Sequence, residues 1–287
     1  MITKVIDRKT NKITEERSPK GANFLYKNFF GRVVLKVANK RFISNIVGRH
    51  LNKKKSTKYI ENFIKDNNID MSDYPKVEYN SFNEFFSRKI KDGKRVFSGS
   101  KKDFCAPSDS KLIVYKIDEN KEFVIKNKTY TMESILRDKK LAEEYKNGYF
   151  LVFRLSVDDY HRYAYIDNGK LLKSKQINGK YHTVGPIAFD RFKVFQENQR
   201  EYAVLKTENF GNIIQMEIGA MMVGKIVNHK KSKFLRGEEK GYFLFGGSTI
   251  VIIVKENILE IDQDIMNNSS VLLETKVKQG EKVAKRL

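Results

Sequence analysis

Two hydrophobic rhythms divide the chain. Between residues 24 and 47, Phe24, Leu25, Phe29, Phe30, Val33, Val34, Val37, Phe42, Ile43, Ile46 and Val47 recur three and four apart, the spacing of one helical stripe. Lys27, Arg32, Lys36, Lys40 and Arg41 flank it, which predicts a basic amphipathic helix suited to a membrane interface or to the protein's own core. A second helix is expected over Thr57 to Lys65, capped by Ser56 or Thr57, and a short one over Ser81 to Ile90 behind a capping serine. From Phe104 the rhythm changes. Short runs rich in Val, Ile, Tyr and Phe alternate with turn residues: 111–117, 123–125, 149–155, 162–166, 169–177, 202–207, 213–218, 222–227, 241–245 and 249–254. Residues 132–145 carry a helical pattern among them. The expected fold is α+β, with N-terminal amphipathic helices on a mainly antiparallel β-sandwich or barrel-like core. The expected division is a basic helical docking region over 1–100 and a β-rich catalytic domain over 101–287.

Charge sharpens this picture. The 287 residues carry a formal net charge of +21. Residues 1–66 hold 17 Lys or Arg against 5 Asp or Glu. Such a surface attracts polyanions, either nucleic acid or an anionic membrane face. The longest apolar runs, such as Ile250 to Val254, are too short to span a bilayer, so contact with a membrane would be peripheral. The N-terminus lacks a signal peptide's apolar core. Cys105 is the single cysteine and excludes an intramolecular disulfide; with 4 His it also argues against a zinc cluster or other metal site.

The candidate chemistry lies in three places. Ser248 follows Gly246 and Gly247 at the mouth of the apolar run Ile250 to Val254. Glycines before a strand ordinarily make a turn or bulge, but a strained Gly–Ser bond can also be cut by its own hydroxyl. His161 follows the run 149–155, where a strand end can present a base. Asp109, in Pro107-Ser108-Asp109, reads either as a turn residue or as a carboxylate that orients a histidine. His182 is a second candidate base, and His50 and His229 complete the histidines. Asp109, His161 and Ser248 supply the residue types of an acid–base–nucleophile relay.

Five segments occur in one order: Phe82-Asn83-Glu84-Phe85-Phe86-Ser87-Arg88, Pro107-Ser108-Asp109, Asp159-Tyr160-His161-Arg162, Gly219-Ala220-Met221-Met222-Val223-Gly224 and Gly247-Ser248-Thr249. In these the chain resembles the phosphatidylserine decarboxylases, in their clostridial-type branch, where Gly-Gly-Ser-Thr replaces the commoner Leu-Gly-Ser-Thr. The resemblance implies a precursor in which Asp109 orients His161 and His161 deprotonates Ser248. The serine oxygen then attacks the Gly247 carbonyl. A β chain, 1–247, and an α chain, 248–287, result and stay together as a heterodimer, with a higher oligomer left open. Ser248 becomes a pyruvoyl cofactor whose ketone forms a Schiff base with the lipid amine and draws off the electrons released with CO2, yielding phosphatidylethanolamine. The implied partner is phosphatidylserine in an anionic membrane, met peripherally from the cytoplasmic side. Two departures stand out. Ala164 occupies the place of a second histidine found in many members, so either His161 serves both cleavage and protonation or His182 takes one of these roles. Ser110 replaces a usual glycine. The alternative from composition is a basic nucleic-acid- or lipid-binding module without catalytic activity, although no nucleic-acid motif is present.

Overall fold

A computed structural model of the chain describes all residues except 1, 18–23, 27, 29, 32–33, 36–40, 126, 221–224 and 246–247. Much of the apolar stripe over 24–40, Met221 to Gly224, and Gly246 and Gly247 therefore lie outside the described residues.

The strands in chain order are β1 (Ile2–Asp7), β2 (Ile13–Arg17), β3 (Asp103–Cys105), β4 (Ser110–Lys116), β5 (Glu122–Ile125) and β6 (Lys128–Thr131). They continue as β7 (Tyr149–Leu155), β8 (Arg162–Ala164), β9 (Gly169–Ile177), β10 (Arg200–Thr207), β11 (Asn212–Gly219) and β12 (Ile226–Asn228). The last are β13 (Lys233–Phe234), β14 (Glu239–Phe243), β15 (Ser248–Val254), β16 (Leu259–Ile261), β17 (Glu274–Val277) and β18 (Lys282–Arg286). Ten form one open sheet in the order β13-β9-β10-β11-β15-β7-β4-β17-β1-β2. The fold is α+β and mainly antiparallel, and its sheets do not close into a barrel.

Strand β15 sits inside this sheet, antiparallel to β11 on one side and to β7 on the other. Every one of its residues is buried. A continuous Val/Ile run is what a strand covered on both faces requires, since each alternate side chain must find an apolar layer. Val251 and Ile253 join one core, with Phe150, Met216, Ile187 and Phe195. Ile250, Ile252 and Val254 join the other, with Phe153, Tyr163, Phe243 and Leu259. The first layer is closed by the β5–β6 hairpin and short helices, and the second by two small sheets, β12-β14-β8 and β16-β18-β3. This two-layer packing is sandwich-like.

Several expectations shift. The helix over 132–145 divides into Met132–Leu136 and Lys139–Glu143. Arg137 enters the left-handed region at φ 47°, and the Asp138 side chain caps the second piece by accepting from Leu141 N–H. The expected helix over 57–65 begins as a tight 3₁₀ turn, Lys54–Tyr59, and continues as Ile60–Asp66. Ser56 caps neither; its hydroxyl donates to the Leu51 and Lys53 carbonyls and accepts from Phe82 N–H. Ser81 does cap its helix, Phe82–Phe86, through Glu84 N–H. Within the segment expected to be helical, β1 and β2 form a hairpin that adds to the main sheet, with β1 parallel to β17. The hairpin is held by Glu16, which accepts from Arg154 at 2.8 Å. It escaped the periodicity because, among its residues whose burial is described, Val5 alone is a buried hydrophobic residue.

Ile252→Ala removes a side chain packed inside a central strand. Chemical denaturation of the variant should show a loss of about 2–5 kcal/mol in unfolding free energy.

Candidate active site

Ser248 is the first residue of β15. It is paired with Leu155 at the end of β7 and with Gly219 at the end of β11. Directly opposed residues point to one face, so the Ser248 side chain shares the face of Leu155. From Leu155 the chain turns through 156–160 and delivers His161, which begins the approach to β8. The His161 carbonyl accepts from Phe243 N–H at 3.0 Å, pinning this turn to β14. Gly219, Ser248 and the turn after Leu155 thus meet at one end of the sheet.

The protonation of His161 follows from its contacts. Its Nδ1 lies 2.9 Å from the Asp159 carbonyl oxygen. A carbonyl only accepts, so Nδ1 carries the hydrogen and Nε2 carries a lone pair. Burial holds the imidazole pKa down to about 3, with the nearby Arg88 charge adding to the effect and the Asp159 charge opposing it. The ring is therefore a neutral base. Its Nε2 is buried and has no hydrogen-bond partner among the described residues, and the same holds for Ser248 Oγ. Unpaired buried polar atoms are costly, and here one is a bare acceptor and the other a hydroxyl donor.

The support around His161 is aromatic on one side and ionic on the other. Phe86, from the capped helix Phe82–Phe86, packs its ring 4.0 Å from the imidazole, centroid to centroid. Phe245, just before the glycines, packs 5.2 Å from Phe86, and its N–H donates to Asn83. The Arg88 guanidinium is buried over the Tyr74 ring at 4.3 Å and forms no ion pair among the described residues. On the ionic side, Lys111 Nζ reaches Asp159 Oδ2 at 2.6 Å, and Ser156 N–H reaches the same oxygen at 2.7 Å. Burial opposes a charge on Asp159, yet Lys111 and Ser156 outweigh it and hold the carboxylate below its usual range.

Asp109 lies elsewhere in this network. No hydrogen bond joins it to His161 among the described residues. Its carboxylate accepts from Arg95 through both oxygens, at 2.7 and 2.6 Å, and from Gln279 N–H at 2.9 Å. The Gln279 side chain donates in turn to the carbonyls of Pro107 and Arg162, the latter next to His161. His182 is buried on the other face of the main sheet. Its ring stacks on Phe192 at 3.9 Å, and Glu197 lies 3.7 Å from Nε2, beyond hydrogen-bond reach. Asn198 links the His182 carbonyl to the Gly219 carbonyl, so this segment also ends near Ser248. Lys111 and Arg95 were not singled out from the sequence, and Asp159 and Arg88 stood in the family-like segments with no role assigned to them. Asp159, two residues from His161, was the nearest to a readable signal.

A model of the family described as phosphatidylserine decarboxylase matches residues 82–285. The chain belongs to the phosphatidylserine decarboxylase family. It is similar to phosphatidylserine decarboxylase proenzyme 2 of Clostridium acetobutylicum, with 51% identity over 97% of this chain and 97% of the relative. It is 42% identical to the proenzyme of Fusobacterium nucleatum, over 96% of this chain and 95% of the relative. For the Clostridium tetani proenzyme the identity is 40%, over 99% and 98%. In this member of the phosphatidylserine decarboxylases, no group of three or more metal-ligating side chains occurs among the described residues. No described helix is long and apolar enough to cross a membrane.

The depressed His161 pKa has a measurable sign. In the unfolded chain a histidine titrates near 6.5, so below that pH the unfolded state takes up a proton that the folded state refuses. Stability from this group is complete above about pH 6.5 and falls as the pH drops toward 3. Urea unfolding of the Ser248→Ala precursor at pH 7 and pH 5 should show about 2 kcal/mol more acid loss than the Ser248→Ala, His161→Gln double variant.

Proposed function

We infer that this protein decarboxylates phosphatidylserine to phosphatidylethanolamine after cutting itself between Gly247 and Ser248. The observation that carries the reading is two unsatisfied buried atoms, a neutral His161 Nε2 and the Ser248 hydroxyl, which are not hydrogen-bonded to each other or to any other described residue. In this reading His161 takes the hydroxyl proton and the serine oxygen attacks the Gly247 carbonyl. The amide C–N bond breaks as the ester forms. Loss of the residue 248 α-proton then breaks the Cβ–O bond, freeing the Gly247 carboxylate and leaving dehydroalanine. Hydrolysis of its imine tautomer releases ammonia and leaves a pyruvoyl group.

The site residues suit such a cofactor, because the serine consumed is buried on a strand paired along both edges, and the turn that follows its paired residue Leu155 carries a neutral base. When formed, the pyruvoyl ketone supplies an electron sink for the carbanion left as CO2 departs. Burial among Phe86, Phe245 and Leu155 excludes water from the reacting end. Asp109 acts at one remove, holding Gln279 and through it the backbone beside His161. Two histidines remain for the proton that returns to the product, His161 from one face of the sheet and His182 from the other. The chains 1–247 and 248–287 would remain joined as a heterodimer, since β15 is hydrogen-bonded along both edges.

The substrate's membrane gives the surface charge a use. The helix Arg41–Leu51 exposes Phe42 and Ile46, at 69% and 46%, with Arg49 on the same face. Phe24, Phe30 and Val34 are exposed upstream, and Lys53, Lys54 and Lys55 follow. Apolar anchors beside cations fit a peripheral contact with an anionic leaflet, each cation contributing about 1 kcal/mol. A basic binding module without catalysis leaves the buried base and hydroxyl without a purpose.

Purified wild-type protein should run as two chains and release CO2 from phosphatidylserine vesicles. Ser248→Ala and His161→Ala should each run as one intact chain and release none. Wild-type protein that remains a single chain while decarboxylating would overturn the reading. Phe42→Glu with Ile46→Glu should weaken co-sedimentation with anionic vesicles at least about tenfold, with self-cleavage unchanged.

A further inference from the structure

A cavity of about 500 Å³ opens beside Gly219, the strand partner of Ser248. Its lining includes Gly219, Glu201, Gln176, Lys225, Lys230 and Asn45. Gly219 is the direct partner of Ser248 across β11 and β15. Glu217 lies two residues back along β11 and opposes Glu201 of β10, which opposes Gln176 of β9. Opposed residues share a face, and so do residues two apart along a strand. The cavity floor and the Ser248 side chain therefore lie on one face of the sheet. Between them among the described residues lie Gly219, which has no side chain, and the Tyr181 ring, which packs over it about 3.5 Å from where a Cβ would stand and also lines the cavity.

The opposite wall is β12. Its Asn228 is fixed by Lys240 and by the buried Glu217, and it accepts from the Tyr163 hydroxyl at 3.0 Å. Buried salt bridges and shared hydrogen bonds make this wall rigid. The charges that line the cavity behave differently. Lys225, Lys230 and Glu201 take part in no salt bridge among the described residues. Asn45 stands at the rim, on the helix Arg41–Leu51, one turn from exposed Phe42 and next to exposed Ile46. The cavity thus runs from the apolar anchors of that helix to the partner residue of Ser248.

We propose that this cavity holds the phosphodiester of the substrate headgroup, with Lys225 and Lys230 as its cations. The proposal rests on the decarboxylase reading. The serine amine of the lipid must reach residue 248, and the phosphate lies a few bonds farther along the headgroup. The adjacent strand is about 5 Å away, so a phosphate extending past Gly219 along the edge of the Tyr181 ring enters the cavity. Lys225 and Lys230 are exposed, flank the two ends of β12 and have no salt-bridge partner among the described residues, so their long side chains are free to turn to an anion, and charge-assisted hydrogen bonds to phosphate are the stronger kind. Glu201 lies one strand beyond Gly219, farther from Ser248, and marks the end that an anion would avoid. The cavity volume falls in the range of small-ligand sites.

Dihexanoyl phosphatidylserine dissolved as monomers tests the site without membrane binding. Lys225→Met with Lys230→Met should cut itself as the wild type does, raise KM at least about tenfold, and keep kcat within about twofold. Glu201→Gln removes an anion and should not raise KM. Glycerophosphoserine should compete with the substrate more strongly than inorganic phosphate at equal concentration. An unchanged KM in the double lysine variant overturns the proposal. A raised KM in Glu201→Gln overturns it too, since the cavity would then serve a cation. Equal competition by inorganic phosphate would make it a free-phosphate site and not a headgroup site. Wild-type protein that cuts itself but never decarboxylates would instead overturn the reading on which the proposal rests.

Discussion

The position of one strand governs the rest of the molecule. β15 begins at Ser248 and runs buried through the middle of a ten-stranded sheet. A strand clamped on both edges and packed on both faces cannot slide, because a one-residue slip would exchange its two faces. The hydroxyl of Ser248 is thereby fixed relative to Leu155, and through the following turn to His161. The same clamp would keep residues 248–287 in place after a cut, since both edges and both faces of β15 persist. Folding energy invested in an apolar core thus doubles as positional accuracy at the reacting residue.

Around that strand the chemistry is set by burial more than by charge pairing. His161 is neutral because solvent is excluded, with the Arg88 charge reinforcing the effect. Its tautomer is set by a backbone carbonyl, not by a carboxylate. The carboxylate of Asp159 serves instead to hold that carbonyl, anchored by Lys111 and Ser156. Glu16 and Arg154 extend the ionic lattice to the N-terminal hairpin. The hairpin thereby connects the first residues of the chain to the turn that carries the base. Asp109 belongs to a separate cluster with Arg95 and Gln279, which reaches the site through the backbone of Arg162.

The β core was legible because its strands are alternating or continuous apolar runs bounded by turn residues. Tyr149–Leu155 is such a run, and both it and the more polar Gly169–Ile177 have the expected bounds residue for residue. The hairpin β1–β2 was not legible, because its stability comes from pairing with β17, more than 260 residues away, and from Glu16 meeting Arg154. The break in the helix over 132–145 depends on a left-handed Arg137, a conformation that composition does not announce. At the site, the residue types Asp109, His161 and Ser248 stood out, and the family resemblance supplied their order. The ionic support did not, since Lys111 and Asp159 are 48 positions apart. Ion pairs between distant residues leave no periodic trace.

The central claim is that the buried hydroxyl at the start of β15 is consumed to make a reactive ketone. Intact-mass measurement of the freshly purified protein tests it most directly. The account predicts a chain ending at Gly247 and a second chain covering 248–287 whose first residue has the mass of a pyruvoyl group in place of serine. A decarboxylating protein whose mass is that of the uncut 33.5 kDa chain, with serine intact at 248, would contradict it.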